Sequence, residues 1–433
     1  MHSQVRDALD EETMKMFRQG QWEHPTRSQT YRSTSSRACR NRTESHAIAG
    51  LSVACVRKLA TVALSAALAA CSRVPVAKEM TSTYGAISEG AIRVDSAPKF
   101  VVGSSSEASI HTINLPVAAT RLSNGSIVVD DYGARALLFF DSSGTERHAI
   151  SGPAPTEKYE NLAWAGQCTK DSIFAWDGFK NLVTVVDSSG RIVRRYRPEG
   201  RPTMMTCSRD GVFAVFGMVR APRISMQPGM QSLSYRTPLW IADSRGDTTV
   251  PFGDVNVGEV RPLGPITRLA VGKDGLFVGT ADSDLVDFYS LQGLRVSDIS
   301  LRLPPRAPSR QNYESAVDER MSRLPGGTNA ARNRVRKELL AIPMPAKLPR
   351  YEALFVDPTG LLWVDTSAPG DPGTELRVVT EKGQIVGEVL LHGRVSVFEV
   401  GLDYILGAIE VDHAWRIVEY RFQRAPASYK AST

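Results

Sequence analysis

From Val117 onward, apolar residues alternate with polar ones in short runs, and each run stops at Gly, Asn or Asp. A period of two marks a strand half buried on a sheet, and Asn-Gly or Asp-Gly supplies the positive φ that tight hairpins need. The runs recur in a fixed order. The first copy reads Val117–Leu122, Ser123-Asn124-Gly125, Ser126–Asp130, then Ala136–Phe140 and Asp141-Ser142-Ser143-Gly144. The second has Ser172–Trp176, Leu182–Val186 and Asp187-Ser188-Ser189-Gly190, and the third has Val212–Phe216, Leu239–Ala242 and Asp243-Ser244-Arg245-Gly246. A fourth runs Leu276–Gly279, Val286–Ser290 and Leu291-Gln292-Gly293; a fifth runs Leu361–Asp365, Leu376–Thr380 and Glu381-Lys382-Gly383. A degenerate sixth covers Val395–Val400, Tyr404–Val411 and Trp415–Phe422.

The closing glycines at 144, 190, 246, 293 and 383 are spaced by 46, 56, 47 and 90 residues. The shorter gaps fit one four-stranded unit with its connections. The gap of 56 holds an extra loop, Met218–Arg236, and the gap of 90 holds an insertion over 306–347. Within the insertion the pattern changes to two helices, Gln311–Leu324 and Asn329–Ile342, joined by Pro325-Gly326-Gly327 and stopped before Pro343.

A small sheet cannot cover its own apolar face, so neighbours must stack, and closing the stack into a ring removes its exposed ends. The prediction is an all-β protein, a six-bladed β-propeller over residues 92–424, with seven blades as the alternative. The sixth copy ends after its third strand, so Ala97–Gly103 or Ser109–Leu115 is expected to supply the missing outer strand and close the ring.

The segment before the ring has a different character. Residues 1–47 are polar, rich in Arg, Ser and Thr and without a sustained apolar period, and 1–55 read as a disordered extension or as sequence upstream of the true start. Arg57-Lys58 then precedes the apolar run Leu59–Ala70, which is too short to span a membrane. A basic pair, an apolar stretch and small residues before a cut are the layout of an export signal over 56–70. Leu68-Ala69-Ala70-Cys71 resembles the lipobox of bacterial lipoproteins. That resemblance implies cleavage before Cys71, acylation of its sulfur, and anchoring to a membrane by two or three chains. Signals of that family begin near the basic pair, so translation from about Val53 or Val56 is expected. Ser72, in place of Asp, points to the outer membrane or the periplasmic face. Residues 71–91 read as a tether, and 425–433 as a tail.

The repeat resembles NHL-type six-bladed propellers, and most of all the largely uncharacterised six-bladed propeller lipoproteins of bacteria. The resemblance covers roughly residues 92–424. No WD dipeptide or Kelch double glycine stands in register.

Charge and candidate chemistry refine this picture. The net charge is +6, but residues 1–70 carry ten of the 52 Lys/Arg and six of the 46 Asp/Glu, which leaves +2 for the rest. A nucleic-acid partner needs a larger excess. The five cysteines include no CxxC pair and no Cys/His ligand set. Cys168 and Cys207 stand at equivalent points of adjacent repeats, where a disulfide or two buried thiols are the alternatives; oxidation follows from export.

Asp130, Asp177, Asp282 and Asp365 follow second strands and are the candidate channel-mouth residues, either as ligands of a divalent ion or as turn formers. Four scattered histidines, His111, His148, His392 and His413, make no zinc set, and no GxSxG elbow or Walker loop is present. Trp176 and Trp363, at equivalent positions, read as packing between blades. From Arg306 to Arg350 there are ten basic and four acidic residues. This insertion is either a basic cap for an acidic partner or lipid headgroup, or a solvated hairpin seated on Tyr313, Val317, Met321, Val335, Leu339 and Leu340.

No catalytic residue, metal ligand or cofactor is assigned. The expected function is a membrane-anchored binding module of the cell envelope for a protein, peptide or glycan. The alternatives are a lactonase-like hydrolase with a metal at the channel mouth, and a scaffold subunit of an envelope assembly.

Overall fold

The computed structural model describes residues 92–102, 112–154, 156–218, 234–259, 261–323 and 328–424. The signal segment 56–70, Cys71, the tether, His111, most of the Met218–Arg236 loop, the Pro325–Gly327 turn and the tail lie outside the described residues. Among the described residues, no helix is long and apolar enough to cross a membrane.

Six antiparallel sheets form the ring. Blade 1 spans Pro116–Ile150, blade 2 Leu162–Tyr196, blade 3 Arg201–Glu259, blade 4 Thr267–Ser300 and blade 5 Ala353–His392, each a four-stranded meander. Blade 6 has three consecutive strands, Ser396–Val400, Tyr404–Val411 and Ala414–Arg424. The inner strands touch in the order of blades 1 to 6, and that of blade 6 touches that of blade 1. The ring is closed.

Closure is made from the other end of the chain. Ile92–Val94 pairs with the far half of Ala414–Arg424, Ile92 facing Arg424, and Phe100–Val102 pairs with its near half, Phe100 facing Glu419. The expected segment Ala97–Gly103 therefore supplies one short strand, and a second one precedes it. Residues 112–115 of the alternative segment form no strand. Two short strands are needed because Ala414–Arg424 is 11 residues long, and the chain turns at Asp95–Lys99 along its edge.

The core lies between the blades. Alternation sends every second residue to the preceding blade and the others to the following one. In blade 2, Ile173 and Ala175 pack with Val128, Leu137 and Phe139 of blade 1. Phe174 and Trp176 pack with Phe213, Val215 and Trp240 of blade 3. Trp363 does the same between blades 5 and 6, and its Nε1 donates to Asp357 at 2.7 Å.

The Asp-Ser-Ser-Gly turns also join neighbours. The carboxylate of Asp141 accepts from the Ser143 hydroxyl and from the backbone N–H groups of Ser143 and Thr145, which holds it down at about pKa 2. The turn closes on Gly144 at φ 84°. In blades 2 and 3 the corresponding Gly190 and Gly246 lie flat against His148 and Tyr196 of the blade before, with no room for a Cβ.

Helices α1 (Arg310–Ser322) and α2 (Asn329–Ala341) leave the ring between blades 4 and 5. Ser309 opens α1 with a capping box shared with Asn312, and Thr328 caps α2. Tyr313, Val317, Met321 and Leu339 are buried against Leu263, Leu348 and Ala368, with Val335 and Leu340 partly buried beside them. Asn312 donates to the Pro369 carbonyl at 2.7 Å and to Asp371 at 3.1 Å. These bonds fix α1 to the blade 5 loop.

Candidate functional site

The inner strands surround an axial channel of about 530 Å³, lined in its middle by Ala118, Gly166, Met205, Ala270, Leu354 and Phe398, one from each blade. Small and apolar side chains leave it open. The two ends differ.

At the end where inner strands finish, Arg209 leaves the first turn of blade 3 and donates to Glu399 at 2.6 Å and to the Tyr404 hydroxyl at 3.0 Å, both on blade 6. It also reaches the Arg121 carbonyl of blade 1 at 3.3 Å. Blades 3 and 6 face each other across a six-membered ring, so this side chain is a strut over the channel. Glu399 also accepts from Thr120 and from the Tyr404 hydroxyl. Arg121 stacks on the Tyr404 ring at 5.0 Å and pairs with Glu419 at 3.2 Å. Beside the strut, Cys168 and Cys207 are joined by a disulfide, with a Cα–Cα distance of 5.3 Å, which ties the inner strand of blade 2 to that of blade 3.

The opposite end is the mouth on which the helical insertion sits. Arg268 stands on the inner strand of blade 4, Glu352 and Arg394 just before those of blades 5 and 6, and Asp365 at the end of the second strand of blade 5. Arg268 lies 3.4 Å from Glu352, and Arg394 lies 3.9 Å from Asp365. Glu319 of α1 adds a third acid. It lies close enough to Arg394 and Asp365 to feel their charges.

Four acids among the described residues are held above their ordinary range, and three of them, Glu319, Glu352 and Asp365, share this mouth. Desolvation raises each one; Asp365 adds repulsion on Glu319 and Glu352, while Arg394 opposes the shift at all three and Arg268 opposes it at Glu352 and Asp365. A convergence of shifted acids with charged partners is a physical mark of a working site.

The four aspartates singled out in the sequence do not meet here. Asp365 does, accepting from the Ser367 hydroxyl at 2.5 Å and the Ser367 N–H at 3.0 Å. Asp177 is fully buried and accepts from four backbone N–H groups, those of Glu160, Asn161, Phe179 and Lys180, so it forms a turn. Asp131 does the same in blade 1, for Asn114, Leu115 and Ala134. Asp130, 1% exposed, points between blades 1 and 2, and neither of its oxygens has a hydrogen-bond partner. Its burial and the neighbouring Asp131 push it well above the carboxylate range. Asp282 lies exposed in the turn after Gly275–Thr280. Among the described residues, no three His, Cys, Asp or Glu side chains gather closely enough to share a metal ion.

Arg268, Glu319, Glu352 and Arg394 escaped sequence reasoning. They come from separate blades and an insertion, and no spacing links them. The one available signal was that Arg268, Glu352 and Arg394 all precede or open inner strands in successive blades.

No family model matches this chain, and no curated protein sequence matches it. Solved structures do resemble it. One is a protein from Bacteroides fragilis described as exported, at 10% identity and TM-score 0.44, covering 78% of this chain and 96% of that one. Another, from Bacteroides vulgatus, belongs to a domain family of unknown function, at 11% identity and TM-score 0.43, covering 78% and 99%. A gluconolactonase from Xanthomonas campestris gives 13% identity and TM-score 0.37, covering 76% and 99%. Likenesses this faint carry no argument about chemistry or location; the chain is a six-bladed β-propeller by its own strand pairing and its closed ring of contacts.

Proposed function

We propose that this chain is a lipid-anchored, extracytoplasmic binding module. The export signal at 56–70 and the lipobox ending in Cys71 support the address. The mouth framed by Arg268, Glu352, Asp365 and Arg394 supports the binding role, and it is the observation that carries the reading. Two arginines flank two carboxylates in it, α1 brings Glu319 to its edge, and it opens on a channel large enough for a small ligand or a chain end. The ligand is a protein, peptide or glycan presented at the envelope.

One preparation tests both halves. The full chain, purified from membranes, is expected to yield an N-terminal fragment beginning at acylated Cys71. Applied to arrays of envelope peptides and glycans, it is expected to retain a ligand that Arg394→Glu loses. An unacylated chain beginning upstream of Cys71 removes the anchor. Array binding that is absent, or indifferent to Arg394→Glu, removes the binding mouth.

A further inference from the structure

We infer that the insertion-side mouth takes a carboxylate between Arg268 and Arg394, with the body of the ligand lying in the channel. The inference rests on the binding-module reading and names the ligand class it left open. Arg268 Nε and Arg394 Nη1 are both buried without a hydrogen-bond acceptor. No acid of the mouth has an orphaned buried oxygen, so what the mouth lacks is an acceptor. The existing pairs do not fill the need. At 3.4 and 3.9 Å, Glu352 and Asp365 stand too far off for the forked geometry a guanidinium makes with a fitted carboxylate.

Arg268 of blade 4 and Arg394 just before blade 6 stand on either side of blade 5, and both act on its Asp365 carboxyl. Arg268 Nε and Arg394 Nη1 are therefore the spare cationic donors of this rim. Arg268 also lines the channel, which joins the anion-holding point to the apolar space behind it. The Arg209 strut bars the far end. A ligand that satisfies both parts presents a carboxylate on a slim, uncharged body, as the free C-terminus of an apolar peptide does.

The acids of the mouth set the pH dependence. The charged groups facing the point are Arg268 of blade 4, Glu352 and Asp365 of blade 5, Arg394 of blade 6, Glu319 of α1 and Arg323 at the C-cap of α1. A bound anion raises the three acids further, so binding takes up protons and strengthens as pH falls.

Isothermal titration of the full chain with hexanoate, hexanamide, acetate and inorganic phosphate tests this. Hexanoate is expected to bind saturably, and more tightly as pH is lowered from neutral towards the upper end of the carboxylate range. Hexanamide, acetate and phosphate are expected to bind at least about tenfold more weakly, since each lacks the charge, the body or both matched parts. Arg268→Gln and Arg394→Gln are each expected to weaken hexanoate about tenfold or more. The inference is overturned if hexanoate does not bind, if hexanamide or phosphate equals it, or if both variants bind it as the parent does. The contrast among probes needs no variant, so misfolding cannot hide the answer. If hexanoate fails while an array ligand is still lost with Arg394→Glu, the carboxylate falls and the module stands. If hexanoate binds but no array ligand does, the module falls instead.

Discussion

At the scale of single residues, Asp130 is the group whose surroundings oppose its nature most. A buried carboxyl without a hydrogen-bond donor can stay in place only by keeping its proton. In the unfolded chain it loses that proton near the ordinary aspartate pKa. Its folded pKa is raised, so its contribution is neutral below the unfolded value and turns against folding as pH climbs towards the folded value. Asp130→Asn cannot ionise and escapes this loss. Relative to the parent, the variant is expected to gain stability by up to about 1.4 kcal/mol per pH unit above roughly pH 4. Urea melts of both proteins from acid to neutral pH check this, and parallel curves would show that Asp130 ionises freely. The sequence could not have disclosed the role. Asp130 and Asp131 are adjacent and identical in type, yet strand alternation turns one towards blade 2 and leaves the other to cap backbone N–H groups at Asn114 and Leu115.

At the scale of elements, legibility follows burial and turn chemistry. The second and third strands of the blades were readable because both faces are buried and their turns carry Asp-Ser-x-Gly, as in Ala136–Phe140. The outer strands were not. Ile192–Tyr196 of blade 2 and Arg295–Ser300 of blade 4 are polar and half exposed, and hold their place by pairing with a buried neighbour. Helices α1 and α2 were legible to within two residues, because the strand pattern breaks off there and Pro325-Gly326-Gly327 and Pro343 bound them in the sequence.

Between elements, the Cys168–Cys207 disulfide belongs to blade docking. It closes a loop of 39 residues around the outer strands of blade 2 and restricts the unfolded chain accordingly. Replacing both by Ala is expected to cost about 2–4 kcal/mol in denaturant melts under non-reducing conditions. A double variant as stable as the parent would mean that the apolar contact of Phe174, Trp176 and Phe213 alone holds these blades.

At the scale of the whole molecule, the ring is closed by two short strands, Phe100–Val102 inside the expected segment and Ile92–Val94 ahead of it. Sequence reasoning found the first and passed over the second, because three residues are too short to show a period. Yet Ile92 is 2% exposed and lies in the cluster between blades 5 and 6, with Val389, Leu391 and Phe422. In an open stack, a terminal strand frays at little cost. In a closed ring, loosening it bares the edge of Ala414–Arg424 and uncovers the face of blade 5, so a terminal residue should behave as a central one. Ile92→Ala is expected to cost about 2–4 kcal/mol, the range for a core residue, in a single transition. Val193→Ala, on the outer strand of blade 2 and 50% exposed, is expected to stay within about 0.5 kcal/mol. A small loss at Ile92, or a separate early transition confined to blade 6, would show that the two chain ends meet without holding the ring shut.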